Sequence, residues 1–205
     1  MKKCYIVLIG IALIGCNGQS FQKNSLQKTN DPIEKVKEKE TIAQEKQYDN
    51  LGELISKIAF NVKTNNKEDF ENGIIPWASI ANFKEDITNL IDKDEIVLIQ
   101  PSIKIIIDYP LTNQYEFSLT SENGFTRKQL LTEISKHYYK LYEEEEKSAT
   151  IKTIPVEKRT QMYNRNETNG KYGIWGHDIA DLVLAEILIF KTAEGKIVLT
   201  LNIES

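Results

Sequence analysis

The densest group of side chains that could do chemistry lies in nine residues, which we call the Gly-rich loop (residues 170–178). Its sequence is Gly-Lys-Tyr-Gly-Ile-Trp-Gly-His-Asp. Glycine permits sharp turns and close approach of a ligand, and the aromatic rings offer flat apolar surfaces for a ring or a sugar. His177 could act as an acid or a base if Asp178 or Asp181 oriented its ring. A structural loop, in which Trp175 fills the core and His177 satisfies a backbone carbonyl, is the open alternative.

Two arginines are candidate neighbours of this loop. Arg165 precedes it, flanked by Asn164 and Asn166, and Arg127 lies at the start of a predicted helix. If the loop met that helix N-terminus, backbone N–H groups, a guanidinium and an aromatic wall would form a polar binding site. The candidate binding residues are Arg127, Arg165, Tyr172, Trp175, His177 and Asp178, and the pattern assigns a catalytic role to none of them.

An acidic run, residues 143–146, falls at the end of the same predicted helix. Carboxylates are mildly unfavourable there because the helix dipole is negative at its C-terminus. Solvent with Lys147 or Lys152 is the ordinary compensation. The alternative is Arg165 or a divalent cation, and either would bring the run close to the Gly-rich loop.

Several function classes have no support in the sequence. Zinc would need more nitrogen or sulfur ligands than His137 and His177 supply, and we find no phosphate-binding loop, dinucleotide fingerprint or Gly-x-Ser-x-Gly elbow. We therefore expect no metal and no cofactor. The formal charge of −4 becomes −6 once Lys2 and Lys3 are removed, and this acidic balance gives no reason to bind nucleic acid.

The N-terminus has the pattern of a lipoprotein signal. Two lysines precede an apolar run over residues 5–14, which is too short for a bilayer-spanning helix of ~20 residues. Leu-Ile-Gly-Cys follows, which matches the lipobox, in which the cysteine is acylated and becomes the new N-terminus. We expect residues 1–15 to be a signal peptide and Cys16 to be lipidated. An ordinary cleaved signal is the alternative.

Three regions are predicted. Residues 16–47 are rich in Lys, Glu, Gln, Asn and Thr and are interpreted as a lipidated tether, with a charged helix over residues 33–46 as the alternative. Residues 48–205 are long enough for one globular domain. By resemblance to lipoprotein sorting rules, the lack of an Asp after Cys16 and of a nearby acidic cluster favours the outer membrane, facing the periplasm.

Helical spacing predicts a first helix from Asn50 to about Asn65 and a second after Pro76. A third helix has Thr126 as N-cap with Gln129 completing a capping box. Dense Ile and Val over residues 95–99 and 102–109, with alternation over 115–119, predict antiparallel strands.

The last two apolar runs, residues 182–191 and 196–203, flank a turn with Gly195 and predict a terminal β-hairpin. Helices and strands come in blocks, so the predicted class is α+β: an antiparallel sheet with helices packed on one face and a C-terminal β-hairpin.

Three segments, residues 124–127, 138–145 and 164–184, resemble an uncharacterised family of bacteria and plants with a Tyr-Gly-Ile-Trp-Gly-His-Asp core. The resemblance covers roughly residues 104–190. No activity is established for that family, so the resemblance implies no catalytic roles. It implies that the domain is older than its lipid anchor.

The sequence thus predicts a membrane-anchored lipoprotein that is a periplasmic binding or interaction module, with a protein partner and the membrane as its contacts. Two alternatives stay open. One is an immunity lipoprotein that neutralises an incoming toxin, and the other is a hydrolase or transferase that uses His177 and Asp178.

Overall fold

The computed structural model describes residues 31–159 and 165–205. The predicted signal peptide, the lipidation site at Cys16 and the first half of the predicted tether lie outside the described residues, as does Asn164. In the part that is described, no helix has both the length and the apolar character needed to cross a bilayer.

The described elements mix helices and strands along the chain. The strands are β1 (Glu53–Ala59), β2 (Val62–Lys63), β3 (Ile74–Ile75), β4 (Ala78–Ser79), β5 (Ile96–Leu98), β6 (Ser102–Ile107), β7 (Tyr115–Thr120), β8 (Phe125–Thr126), β9 (Val183–Lys191) and β10 (Ile197–Glu204). The helices are α1 (Pro32–Gln44), α2 (Phe83–Asn89) and α3 (Arg127–Ser148), with short 3-10 turns at Asp49–Leu51, Val156–Lys158 and Ile179–Asp181.

One sheet, ordered β1-β9-β10-β6-β7, forms the framework, and β4 pairs with the end of β9. Its pairings are antiparallel except between β10 and β6, which run parallel. The β9–β10 hairpin confirms the predicted C-terminal hairpin, and Gly195 has a φ of +77° in its turn. The α+β class with a mainly antiparallel sheet is confirmed.

The predicted first helix is wrong. Residues 53–59 form β1, an edge strand that pairs with β9, and only Ile58 in it is fully buried. The apolar residues between 51 and 62 fit a helical stripe, and β1 itself has no regular alternation, since Leu54 and Ile55 are both exposed and the register with β9 shifts between Leu54 and Ser56. Pairing with β9, more than 120 residues away in sequence, holds these residues in a strand, so tertiary context overrides the local helical signal.

The predicted second helix is shorter than its pattern indicates. The residues after Pro76 first form β4, and α2 begins only at Phe83 and ends at Asn89. Ile80 is fully buried, and its N–H donates to the Leu182 carbonyl at 3.0 Å. That tertiary hydrogen bond holds the start of the segment beside β9 in an extended conformation.

The third helix is confirmed together with its predicted start. The Thr126 hydroxyl accepts from the Gln129 N–H at 3.2 Å, and the Gln129 side chain accepts from the Thr126 N–H at 2.8 Å. Its buried face contributes Leu130, Leu131, Ile134, Tyr138 and Leu141 to the main core. Burial of one such side chain stabilises the fold by about 1.5–3 kcal/mol, so α3 is firmly fixed to the sheet.

A smaller apolar cluster covers further sheet residues. Ile106, Phe190 and Val198 lie under Tyr48 and Leu51, which belong to the segment between α1 and β1. The Tyr48 hydroxyl also donates to Asp108 at 2.8 Å. The chain is therefore attached to the sheet directly after α1, which limits how far α1 can move from the domain.

Within the predicted tether, residues 32–44 form α1, with Asp31 accepting from the Ile33 N–H as the N-cap. The charged helix considered as an alternative for residues 33–46 is thus present over most of that range. None of its residues is fully buried. A single stripe of partly buried residues faces the domain: Ile33, Val36, Lys39, Glu40 and Ala43.

Candidate functional site

The Gly-rich loop is a fixed part of the fold. Tyr172, Ile174 and Trp175 are buried, and Ile174 forms an isolated bridge with Leu111. The Thr112 N–H donates to the Tyr172 carbonyl at 3.0 Å, and the Trp175 N–H donates to the Pro110 carbonyl at 3.2 Å. Trp175 therefore fills the core, as the structural alternative predicted.

Glu145 holds the loop from the side of α3. Its buried carboxylate accepts from the backbone N–H groups of Gly170, Tyr172 and Gly173 at 2.8, 2.7 and 3.1 Å. The Thr168 hydroxyl donates to the same carboxylate at 2.6 Å. A Cβ on Gly170 would lie 2.7 Å from the Glu145 carboxyl carbon, so only glycine fits here.

Burial alone would raise the pKa of Glu145. The Thr168 hydroxyl and the three loop N–H groups outweigh that effect and hold the pKa below its usual value, because they bond the charged form. The acidic run does lie against the Gly-rich loop. Glu145 bonds the loop's backbone, and Glu144 bonds the loop's Lys171 and Tyr172 side chains at 3.0 and 2.5 Å. Glu143 follows the ordinary pattern, since it pairs with Lys147.

Asp178 is occupied by two arginines. Arg159 reaches its two oxygens at 2.5 and 3.2 Å, and Arg165 reaches one of them at 3.4 Å. The Arg165 side chain is only 6% exposed and lies 5.1 Å from the Tyr142 ring centroid. Asp178 therefore neutralises the two guanidinium groups. The prediction that Asp178 orients the His177 ring is wrong.

His177 faces outward from the loop and meets a side chain from α1. Its Nε2 lies 2.5 Å from an oxygen of Glu40. The Tyr142 hydroxyl donates to the His177 backbone carbonyl at 2.9 Å, and the Tyr109 ring stacks on the imidazole with centroids 5.6 Å apart. The imidazole is thus positioned by its neighbours and engaged with a carboxylate.

Tyr109 and Ser205 complete this polar group. The Tyr109 hydroxyl lies 3.0 Å from both Glu40 oxygens and 2.7 Å from the Ser205 hydroxyl. Burial, with the Glu40 charge, raises the pKa of Tyr109 despite the opposing Ser205 hydrogen bond, so its hydroxyl keeps its proton and donates.

A serine, a histidine and a glutamate meet here, but not as a hydrolytic triad. In a triad the acid holds Nδ1 so that Nε2 is free to take the serine proton. In this structure Ser205, at 3.4 Å, and Glu40 approach the same Nε2. The glutamate therefore occupies the nitrogen that a nucleophilic serine would need, and the arrangement binds a carboxylate instead.

Arg127 lies elsewhere. Its guanidinium donates to the backbone carbonyls of Ala59, Ile91 and Asp92 at 2.9–3.3 Å and pairs with Glu95 at 3.0 Å. The hypothesis that the Gly-rich loop meets the N-terminus of α3 is therefore wrong. The loop contacts the C-terminal half of that helix, because the chain there presents the buried Glu145.

His137 lies in an aromatic cluster that borders the Gly-rich loop, since Tyr115 packs on Tyr172 with ring centroids 5.4 Å apart. Its Nδ1 is 2.6 Å from the Tyr115 hydroxyl, and its ring stacks on Phe117 with centroids 3.5 Å apart. Burial, with the nearby Lys140, lowers its pKa. Within residues 31–159 and 165–205, no group of three His, Cys, Asp or Glu side chains could hold a metal ion.

Sequence reasoning brought Tyr172, Trp175, His177, Asp178 and Arg165 together correctly as one neighbourhood. It missed Glu40, Lys39, Tyr109 and Arg159. Glu40 could not be distinguished from Glu38 by type or by local sequence, since both lie among alternating charges in α1. The signal that could have distinguished Glu40 is its helical spacing from Ile33, Val36 and Ala43, which places it on the same face of α1.

Comparison of the chain with protein-family models, curated proteins and solved structures finds no match. The resemblance of residues 172–178 to an uncharacterised family stays a prediction.

Proposed function

We propose that this chain is a lipid-anchored binding protein of the cell envelope, whose recognition surface lies on the outer side of the Gly-rich loop. The surface consists of Tyr109, Thr112, Glu167, Gly176 and His177. One observation carries the proposal: α1, a helix that precedes the domain in the same chain, lies across these residues through side-chain contacts of Lys39 and Glu40.

The internal hydrogen bonds support binding over catalysis. Glu145 is saturated by loop donors, and Asp178 is shared by two arginines. These bonds make the loop rigid, and a rigid surface loses little entropy when it binds a partner. The outward groups that remain are a histidine, a tyrosine hydroxyl and a carboxylate, which suit polar recognition of another chain.

The anchor can be tested by itself. Metabolic labelling with a fatty acid is expected to tag the wild type and not Cys16→Ser, because the lipobox places the acylation site at that thiol. Equal labelling of the two proteins, or a wild type that fractionates as a soluble protein, would remove the membrane part of the proposal.

Binding can be tested in whole cells with a photo-crosslinking amino acid at Asn113, an exposed neighbour of the surface. Glu122, exposed in the turn between β7 and β8, is the matched control position. We expect a heavier adduct from Asn113, stronger in Glu40→Ala because α1 is loosened, and little from Glu122. Adducts of equal strength at both positions, or none at Asn113 in either background, would contradict the proposal.

A further inference from the structure

The contacts of α1 define two recognition points on the surface beneath it. The first binds an anion. The Glu40 carboxylate lies 3.0 Å from the Tyr109 hydroxyl at both oxygens and 2.5 Å from His177 Nε2, with the Ser205 hydroxyl beside both partners. Two groups that can donate, the Tyr109 hydroxyl and His177 Nε2, thus converge on one carboxylate, and Ser205 contacts both of them.

The second point binds a cation. Lys39 Nζ lies 2.5 Å from Glu167 and 3.4 Å from the Thr112 hydroxyl, and 5.7 Å from the Trp175 ring centroid. Thr112 is itself fixed, since its hydroxyl donates to the Gly173 carbonyl at 3.0 Å. The two points bind consecutive residues of α1, Lys39 and Glu40, so the site distinguishes the order Lys–Glu from the order Glu–Lys.

Gly176 lets a helix lie close to the loop between these points. Its φ is +70°, which favours glycine, and a Cβ there would lie 3.2 Å from the nearest methyl carbon of Val36. The same Cβ would be 3.9 Å from a Glu40 oxygen. A larger residue at Gly176 would push the helix away and lengthen the contacts at both points.

The docking of α1 is weak enough to be reversible. The helix has 13 residues, a length that is marginal in water, and none of them is fully buried. Its polar contacts are partly solvated, with Lys39 and Glu40 side chains 28% and 24% exposed. The Lys39–Glu167 ion pair adds little net stability, because the Glu167 side chain is 47% exposed. The attachment of α1 to the domain supplies a high effective concentration instead.

We infer that this surface is a binding site for a helical segment of a partner protein that carries an adjacent lysine and glutamate, and that α1 occupies the site in cis until such a segment displaces it. This inference rests on the proposed function and names the partner's chemistry. The cation point and the anion point fix the direction in which the partner helix lies. Gly176 leaves room for a small apolar residue one turn before the glutamate of that helix.

The test uses the full chain with Val36→Asp and Ala43→Asp, which remove apolar contacts of α1 without changing the surface. Release of α1 is verified by tryptic cleavage within it. The probe is a fluorescent peptide with the sequence of residues 31–47, titrated into this chain. We expect saturable binding, weakened at least about tenfold by Glu40→Gln in the peptide, because a charged hydrogen-bond acceptor is lost. Glu38→Gln in the peptide is the matched control and is expected to change binding by less than about twofold.

A second peptide with Lys39→Glu and Glu40→Lys reverses the order of the pair and is expected to lose at least about tenfold in affinity. His177→Ala in the chain should abolish the difference between the wild-type and Glu40→Gln peptides. Equal binding of all peptides, or no binding at the highest soluble concentration, would overturn the inference.

Two further outcomes separate this inference from the proposed function. Loss of peptide binding while the Asn113 adducts persist would leave the binding protein but remove this partner class. A concentration-dependent dimer of the wild type that Glu40→Gln abolishes would assign the site to α1 of a second copy, and would equally overturn the inference of a separate partner.

Discussion

At the scale of single residues, three acidic side chains near the Gly-rich loop have different roles, and the contacts of each one determine its role. Glu145 is buried and bonds three backbone N–H groups, so it shapes the loop. Asp178 neutralises Arg159 and Arg165, so it fixes the chain entering the loop. Glu40 arrives from α1 and bonds the outward face. Of these three contacts, the last is the one that we propose a partner segment replaces.

Glu145→Gln is expected to lower the free energy of unfolding at pH 7 by about 1.5–3 kcal/mol, because hydrogen bonds to a buried charge are lost. The folded-state pKa of Glu145 lies below its ordinary value of 4.5. The stabilisation is therefore present above about pH 4.5 and disappears as the pH falls through the lower folded pKa.

The measurement is chemical denaturation of both proteins across this pH range. Glu143→Gln, in the same acidic run but 65% exposed, is the control and should stay within about 0.5 kcal/mol of wild type. A Glu145→Gln deficit that persists unchanged at pH 2 would show that the charge is not the cause.

Substituting Arg165 and substituting His177 should have clearly different effects on the free energy of unfolding. Arg165→Ala is expected to cost about 2–3 kcal/mol, because it removes a side chain that is only 6% exposed and packs on the Tyr142 ring, although Arg159 still pairs with Asp178. His177→Ala should cost less than about 1 kcal/mol, because its ring faces a reversible helix. Denaturation midpoints of the two variants check this, and the opposite order would move His177 into the scaffold and Arg165 into the candidate site.

At the scale of elements, sequence reasoning succeeded where the signal was local. The capping box of Thr126 and Gln129 lies within four residues, and it marked the start of α3 correctly. The prediction failed at β1, whose apolar spacing is helical and whose pairing with β9 is remote in sequence. The contact between Glu145 and the loop also depends on residues 25–28 positions away, and no short pattern encodes it.

Thr126→Ala is expected to lower the free energy of unfolding by about 1 kcal/mol, because the Gln129 N–H loses its capping acceptor. Thr132→Ala, inside the same helix, is the matched control. Its hydroxyl only returns to the Lys128 carbonyl, and alanine is the better helix former, so a change below about 0.5 kcal/mol is expected. Similar midpoints for the two variants would show that the cap is not stabilising.

At the scale of the whole molecule, the Gly-rich loop is enclosed by three elements that do different things. The C-terminal half of α3 bonds its backbone, the segment after β6 bonds its carbonyls, and α1 covers its outer face. The first two are parts of the domain core. The third belongs to the predicted tether between the domain and the predicted lipid site, so the proposed binding surface lies at the domain end of that tether.

Hydrogen exchange of the α1 amides in the full-length protein measures whether α1 is held on the outer face of the Gly-rich loop through Glu40. We predict measurable protection in the wild type and in Glu38→Gln, and exchange at least about tenfold faster in Glu40→Gln, with β9 and β10 unchanged in all three proteins. Equal protection of α1 in Glu40→Gln and wild type, or no protection in either, would contradict the account.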